Sequence, residues 1–434
     1  MSGRVLVIGA GFTGLAAAFD LARAGVPVTV LDADAHVGGL AGAFDTDGER
    51  LDRFYHHWFT SDREIMRLVE ELGLSADITL RATATGVWYN NSLFRLSSPM
   101  DLLRFTALPF VDRIRLGLMI PRARAVKDWR ALEGVTAAEW LRRLGGKQVW
   151  QVMWEPLLKG KFGPYAETVS AVWFWNKLKL RGGSRGKAGE ERLAYFKGSF
   201  ARLAEETARA IRAAGGEVRT GAAVTRLERR GDLWVAQGDW GEVEGSAVIA
   251  TPAPALVADM LEPGGVDVAA LRRIPYLANL CLVLELDRAL GSTYWTNVND
   301  PGFPYVGVIE HTNFEDASTY GGRHIVYLSK YLPETDPLYT MTDDAVMDFS
   351  VPHLQRMFPA FQRDWVHRFH VWRARWAQPV VERHYSALIP PAEPLPGLHL
   401  ASMAQIYPED RGTNYAVREG RKVAARVLES LPRG

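Results

Sequence analysis

The 434-residue chain contains a single cysteine, Cys281. One thiol rules out an intrachain disulfide and any metal site built on paired cysteines. Its setting, Leu280-Cys281-Leu282-Val283-Leu284, is an apolar run that reads as a buried strand, with the thiol as a core residue. An excess of charge is also lacking, since 51 Lys and Arg meet 50 Asp and Glu, a net charge of +1. Binding to a phosphate backbone draws on a basic excess, so no nucleic-acid partner is expected. No apolar run reaches the roughly 18 residues of a membrane span. The uncharged stretch from Val5 to Phe19 is interrupted by glycines in a pattern foreign to a signal peptide. These absences lead us to expect a soluble, cytoplasmic protein. Internal repeats, low-complexity tracts, His-x-x-Glu-His spacings and a Gly-x-Ser-x-Gly elbow are all missing, so no resident metal and no serine-hydrolase chemistry are expected.

Hydrophobic residues make up 47% of the chain and charged residues 23%, enough to build a full core and to exclude a disordered chain. Length alone suggests two or three domains. Tryptophan is abundant, with 14 residues. Six of these, Trp129, Trp140, Trp150, Trp154, Trp173 and Trp175, fall between residues 100 and 179, and read as a substrate wall.

The clearest motif comes first. Arg4 to Ile8 reads as a parallel strand, Gly9-Ala10-Gly11-Phe12-Thr13-Gly14 follows at once, and Leu15 to Ala24 reads as a helix. Val28 to Leu31 reads as a second strand ending at Asp32. Gly9 permits the tight turn, Gly11 lets a pyrophosphate approach the backbone, and Gly14 lets helix and strand pack closely. The helix N-terminus offers N–H groups to phosphate, and Asp32 offers a carboxylate to a ribose. Strand, glycines, helix, strand and acid in register indicate a bound dinucleotide. No second motif of this kind follows another strand, so a separate nicotinamide domain is not expected.

A further glycine cluster, Val37-Gly38-Gly39-Leu40-Ala41-Gly42, lies just past Asp32. With it the chain resembles the flavoprotein superfamily of amine oxidases, protoporphyrinogen oxidases, carotenoid desaturases and UDP-galactopyranose mutases. Three later segments carry the resemblance in the same order. Phe196-Lys197-Gly198-Ser199-Phe200 leads into a helix and then the strand-like Ala223 to Leu227. Ala247 to Pro252 ends in Thr-Pro. The third runs from Leu398 to Arg418, in which Gly412-Thr413-Asn414-Tyr415 precedes an amphipathic helix from Ala416 to Leu428. The resemblance implies FAD as cofactor, held by Gly9, Gly11, Gly14, Asp32, Gly38, Gly39, Val224, Gly412, Thr413 and Asn414. Two departures stand out: Ser199 replaces the family's second glycine, and Ser402-Met403 stand where Gly-Asp is usual.

The implied fold is α/β: a discontinuous, Rossmann-like FAD-binding domain (1–95, 193–255 and 395–434) interleaved with a mixed-sheet substrate domain (256–394) and a helical insertion (96–192). Strands are read at 278–287, 305–310 and 324–328, and a helix at 343–358.

Tyr55, His56 and His57, in Asp52-Arg53-Phe54-Tyr55-His56-His57-Trp58-Phe59, are placed by the resemblance near the isoalloxazine, where a histidine can move a proton at neutral pH. Packing histidines are the alternative. Asp52 is read as orienting a neighbour. Arg411 is a candidate to stabilise reduced flavin or hold a substrate anion, and Tyr407 and Tyr415 are candidate substrate contacts beside it. Arg181 and Arg185, in a basic loop with Lys177, Lys179 and Lys187, are candidates to grip a substrate phosphate. Leu102 to Val126 mixes apolar residues with five arginines, the pattern of a helix on a membrane surface or of a core helix with a solvated basic side. The leading expectation is an FAD-dependent oxidoreductase that moves a hydride from a small-molecule substrate to flavin. The alternative is a flavin-dependent mutase acting on a nucleotide- or lipid-linked sugar, and a flavin-retaining binding protein is a third reading.

Overall fold

The computed structural model describes residues 3–180 and 191–431. Arg181, Arg185 and Lys187 of the basic loop lie outside the described residues.

Five short strands form a wholly parallel sheet: β1 (Val5–Ile8), β2 (Val28–Leu31), β3 (Glu217–Arg219), β4 (Ala247–Ala250) and β5 (Leu398–Leu400), in the order β3-β2-β1-β4-β5. Every residue of β1, β2, β4 and β5 is buried, as continuous apolar strands must be when both faces of a parallel sheet are covered. One face packs on α1 (Phe12–Arg23), α2 (Ser199–Ala213) and α3 (Thr413–Ser430). The other packs on an antiparallel ribbon of residues Arg226–Arg230, Leu233–Gly238 and Gly241–Gly245. Helices α1 and α3 cross where Gly420 meets α1, and a Cβ on Gly420 would stand 2.3 Å from the Thr13 carbonyl oxygen.

The expected strand at 223–227 begins only at Arg226. Gly221 and Ala222 donate instead to the carbonyls of Asp34 and Asp32, at 2.8 and 2.7 Å. That ties the segment across the tip of β2 and leaves Val224 buried just before the ribbon.

A seven-stranded mixed sheet forms the second layer. Its order is Val366–Pro379, Tyr276–Leu286, His324–Leu332, Gly307–Glu310, Trp295–Val298, Thr85–Tyr89 and Ser92–Arg95. The span 1–95 is therefore divided, because residues 85–95 hydrogen-bond into this sheet, parallel to Trp295–Val298. Nothing in the local pattern of a short hairpin tells which sheet it will join. Cys281 is fully buried in the long strand Tyr276–Leu286. The helix Asp343–Met357 runs through Pro352 and stops just short of Pro359.

The insertion is helical, with helices at Phe110–Ala125, Ala137–Val149, Glu155–Phe162 and Ala171–Leu180. Its tryptophans pack mainly as core, with Trp173 also bordering Lys161. Trp140, Trp150, Trp154, Trp173 and Trp175 are buried in one apolar cluster with Leu141, Leu158 and Phe174, and Trp129 packs on its edge. A small helical layer with little apolar surface of its own gains most by burying large rings.

Ser199 carries a measurable cost. It opens α2 with φ 75°, a left-handed conformation that disfavours side chains, and its buried Oγ has no partner within the protein. Ser199→Gly relieves both, and should stabilise the protein by about 1 kcal/mol. Denaturant unfolding of the two proteins checks the sign.

Candidate cofactor and substrate site

In a parallel sheet the strands all end on one edge, and ligands sit over that edge. Here the edge gathers Gly9 after β1, Asp32 after β2, Thr251 after β4 and Ser402 after β5. Gly9 turns with φ 100°, and its carbonyl oxygen would be 1.9 Å from a Cβ on Gly14, so α1 approaches the strand only because Gly14 has none. Nothing lies within 4 Å of the Cβ position on Gly11. The second glycine cluster folds back onto the first: Gly38 N–H donates to the Ala10 carbonyl at 2.9 Å, and Gly11 bridges to Gly38. Gly39 lies close enough that its Cβ would be 3.3 Å from Gly11 Cα.

Asp32 accepts from the N–H of Ala10 and of Asp34, which fixes its carboxylate at the end of β2. Burial raises its pKa, against the pull of these two donors. The N-cap of α1 is Gly11, with no side-chain cap and no acid in the first turn, so the leading N–H groups are left for an anion. Ser402 Oγ and Arg53 Nε, near the same edge, are buried polar atoms without partners in the protein. Open space at Gly11, an uncapped helix start, a fixed acid and unpartnered polar atoms fit the pyrophosphate and ribose of a dinucleotide.

At the start of α3, Gly412 is again an N-cap without a side-chain partner. The two neighbouring candidates are engaged elsewhere. Thr413 Oγ1 accepts from Trp58 Nε1 at 2.7 Å. Asn414 Oδ1 accepts from the N–H of Glu64 and of Ile65 at 2.9 and 3.2 Å, capping the helix Arg63–Glu71. What α3 presents to a cofactor is therefore backbone N–H groups.

Asp52 is wholly buried and accepts from Tyr195 Oη at 2.7 Å and from Phe200 N at 3.0 Å, at the start of α2. It orients these groups, and burial pushes its pKa up to about 7. Beyond it, Tyr55, His56 and His57 are half-buried side by side. His56 Nδ1 lies 2.6 Å from the Phe54 carbonyl oxygen, which only accepts, so Nδ1 carries the proton and Nε2 is left with a lone pair. His57 Nδ1 meets Tyr294 Oη at 3.1 Å. Burial lowers the pKa of each histidine to about 4. Both are therefore neutral at pH 7 and able to accept a proton.

Facing them is a group that spacing did not reveal. Arg411 donates from Nη2 to Tyr331 Oη at 2.8 Å and from Nε to Gln378 Oε1 at 3.0 Å. Tyr331 also shares a side-chain hydrogen bond with Tyr55. Burial alone would raise the Tyr331 hydroxyl, but Arg411 and Lys161 outweigh it and hold it below the ordinary tyrosine value. Asp410, buried, sits 2.5 Å from Lys177 Nζ and accepts from Trp173 Nε1 at 2.9 Å. Burial would raise Asp410 too, but Lys177, Lys161 and Arg411 hold it well below the usual carboxylate range.

The remaining candidates make other contacts. Tyr407 donates to Glu133 Oε1 at 2.8 Å and packs edge-on to Trp129, so it anchors the insertion. Tyr415 lies under Arg418, whose Cζ is 4.9 Å from the ring centroid. Among the described residues no set of three His, Cys, Asp or Glu side chains could hold a metal ion. An open depression lined by Arg4, Pro27, Arg219 and Glu244 lies at the opposite, N-terminal ends of the parallel strands.

Comparison with known proteins agrees with this geometry. Over residues 12–428 the chain matches the family described as flavin containing amine oxidoreductase. A probable zeta-carotene desaturase of Synechococcus elongatus is 29% identical over 177 residues, 36% of this chain and 37% of that one. A putative flavin-containing monoamine oxidase of Mycobacterium tuberculosis is 25% identical over 264 residues, 58% of this chain and 57% of that one. The chain thus spans between about a third and three fifths of the curated relatives it matches. In fold it is similar to a putative protoporphyrinogen oxidase from Exiguobacterium sp. 255-15, with a TM-score of 0.78 at 16% identity, covering 99% of this chain and 100% of that one. With its glycine clusters, Asp32 and the α3 start gathered on one sheet edge, the chain belongs to the flavin containing amine oxidoreductase family.

Proposed function

We propose that the protein oxidises a small molecule by hydride transfer from a substrate carbon to FAD, which oxygen or another acceptor then reoxidises. The observation that carries this reading is the back-to-back seating of Gly11 and Gly38 beside Asp32, with the Tyr55–His57 segment and Arg411 grouped at the start of α3. Bound FAD would be held by Gly9, Gly11, Gly14, Asp32, Gly38, Gly39, Val224 and the N–H groups at Gly412, and would supply the two-electron redox chemistry. The chain itself supplies orientation, exclusion of water and a place for the proton. His56, with its free Nε2, is the proposed proton acceptor, and Tyr55 and Tyr331 order the adjacent hydroxyls.

The test is anaerobic. The purified protein should carry FAD, and an oxidisable substrate should bleach it. A substrate that is rearranged only after prior reduction of the flavin, and never bleaches it, would establish a mutase instead. The low histidine pKa sets the pH dependence. A group with a pKa near 4 is unprotonated at every higher pH, so kcat/KM should be flat from about pH 6 to 8 and fall only below about pH 5. A break near pH 6.5 in the free enzyme would remove His56 from the role.

We also propose peripheral contact with an anionic bilayer through the first long helix of the insertion. No helix among the described residues is long and apolar enough to cross a membrane. On Phe110–Ala125, Leu116, Met119 and Ala123 face the core, while Phe110 and Val111 are 63% and 60% exposed, and Ile114 and Leu118 continue that stripe. Met100 and Leu103 extend it, and the exposed Arg104, Arg122 and Lys127 flank it. Apolar side chains edged by cations suit a surface with acyl chains beneath negative headgroups. The protein should sediment with phosphatidylglycerol vesicles. The double variant Phe110→Ser with Ile114→Ser, losing about 2 kcal/mol per side chain, should bind them at least tenfold more weakly. Equal sedimentation of both proteins would refute the contact.

A further inference from the structure

Around the start of α3 the structure places three cations, Lys161, Lys177 and Arg411, around Asp410, with Asp62 also near Lys177. Lys177 pairs with Asp410 at 2.5 Å. Arg411 has only neutral partners, Gln378 and Tyr331. Lys161 has no carboxylate within salt-bridge distance among the described residues. Instead its Nζ lies 5.1 Å from the ring centroids of Trp173 and Tyr331 and 5.9 Å from that of Phe162. Lys161 and Arg411 are thus without a salt-bridged carboxylate among the described residues. Lys161, Lys177, Arg411, Tyr331, Tyr55, His56 and His57 all retain some accessible surface, unlike the fully packed rings around them. Burying cations without counter-ions is costly, and persists where a ligand supplies the missing charge.

We propose that this site recognises its substrate through an oxyanion, a carboxylate or a phosphate, held between Lys161 and Arg411, and that it rejects amines. Guanidinium and ammonium donors suit oxyanions. An ammonium substrate would need aromatic faces and negative charge. Here the faces of Trp173, Tyr331 and Phe162 already serve the protein's own Lys161, and Asp410 already serves Lys177. The inference rests on the flavoenzyme reading for its place in a reaction, but the anion site itself does not depend on it.

The test compares four probes of one shape: benzoate and phenyl phosphate against benzylammonium and benzyl alcohol. Each is titrated into the FAD-loaded protein and followed both by flavin absorption and by calorimetry. The expected result is binding of at least one anion, no binding of benzylammonium, and a dissociation constant at least tenfold higher in Lys161→Met. FAD content and unfolding midpoint of that variant check that it is folded, and Arg411→Lys, which keeps the charge but loses the two-pronged donor, serves if it is not. Benzylammonium or benzyl alcohol binding as well as the anions overturns the proposal. So does anion binding that is unchanged in the variants, or absent from the parent. A protein without FAD whose calorimetric anion binding is weakened by Lys161→Met would sink the flavoenzyme reading and leave the anion site standing.

Discussion

Gly14→Ala should abolish useful FAD affinity. The added Cβ would lie 1.9 Å from the Gly9 carbonyl oxygen, and both groups are backbone-anchored, so neither yields without moving α1 off β1. Overpacking of this kind costs about 3 kcal/mol or more, and a displacement of the phosphate-facing N–H groups of that size corresponds to roughly hundredfold weaker binding. Gly11→Ala makes the informative partner. Its Cβ meets no protein atom within 4 Å, so the cofactor-free fold should be as stable as the parent. The same Cβ stands in the space assigned to the pyrophosphate, so FAD affinity should still fall. Fluorescence titration of the apoprotein with FAD, together with unfolding of the apoprotein, reads both effects. A Gly11→Ala protein that binds FAD as tightly as the parent would refute the placement of the pyrophosphate.

The second large effect concerns Asp410. Asp410→Asn removes the buried carboxylate that pairs with Lys177 and faces Lys161 and Arg411, leaving the three cations without a salt-bridged carboxylate among the described residues. Loss of one partner of a fully buried pair typically costs about 3–5 kcal/mol, and because the Lys177 side chain is 41% exposed the cost here should be smaller, though above that of deleting a surface ion pair. The pH dependence gives the sign. The folded-state pKa is depressed, so the contribution is fully present above the carboxylate's ordinary value and is lost as pH falls through the folded value. Parent and variant should therefore differ in denaturant midpoint at pH 7, and converge as the pH is taken below about 4. An equal gap at both pH values would show that packing rather than charge is responsible.

The parts of the site that were legible in the sequence are those written locally. Gly9, Gly11, Gly14 and Asp32 belong to one strand–helix–strand unit, whose spacing fixes its geometry, and the family resemblance added Gly38 and Gly39. Of the cationic group, Arg411 and Lys177 were read as candidates, but their grouping with Lys161 and Tyr331 was not legible. Lys161 comes from the helix Glu155–Phe162, Tyr331 from the strand His324–Leu332, and Asp410 and Arg411 from the segment before α3. Only tertiary packing brings them together, and no spacing rule spans such separations. Side-chain direction was equally hidden. Asn414 stands at the start of α3, yet its amide turns to cap a helix 350 residues earlier in the chain. Tyr407, three residues before Asp410, turns to Glu133 instead. The tryptophans show the limit of composition, which counts large rings but does not distinguish a core from a cavity wall.

The crossing of α1 with α3, and the seat of β5 beside β4, have a consequence for how the protein is made. β1 and α1 leave the ribosome long before the strand that completes their sheet, which starts at Leu398, and the helix that covers α1, which starts at Thr413. Until then β4 is an open edge able to pair with foreign strands, and the small-residue face of α1 opposite Gly420 is bare. The edge that gathers the glycine clusters and the α3 start is therefore complete only once residues 398–430 have been made.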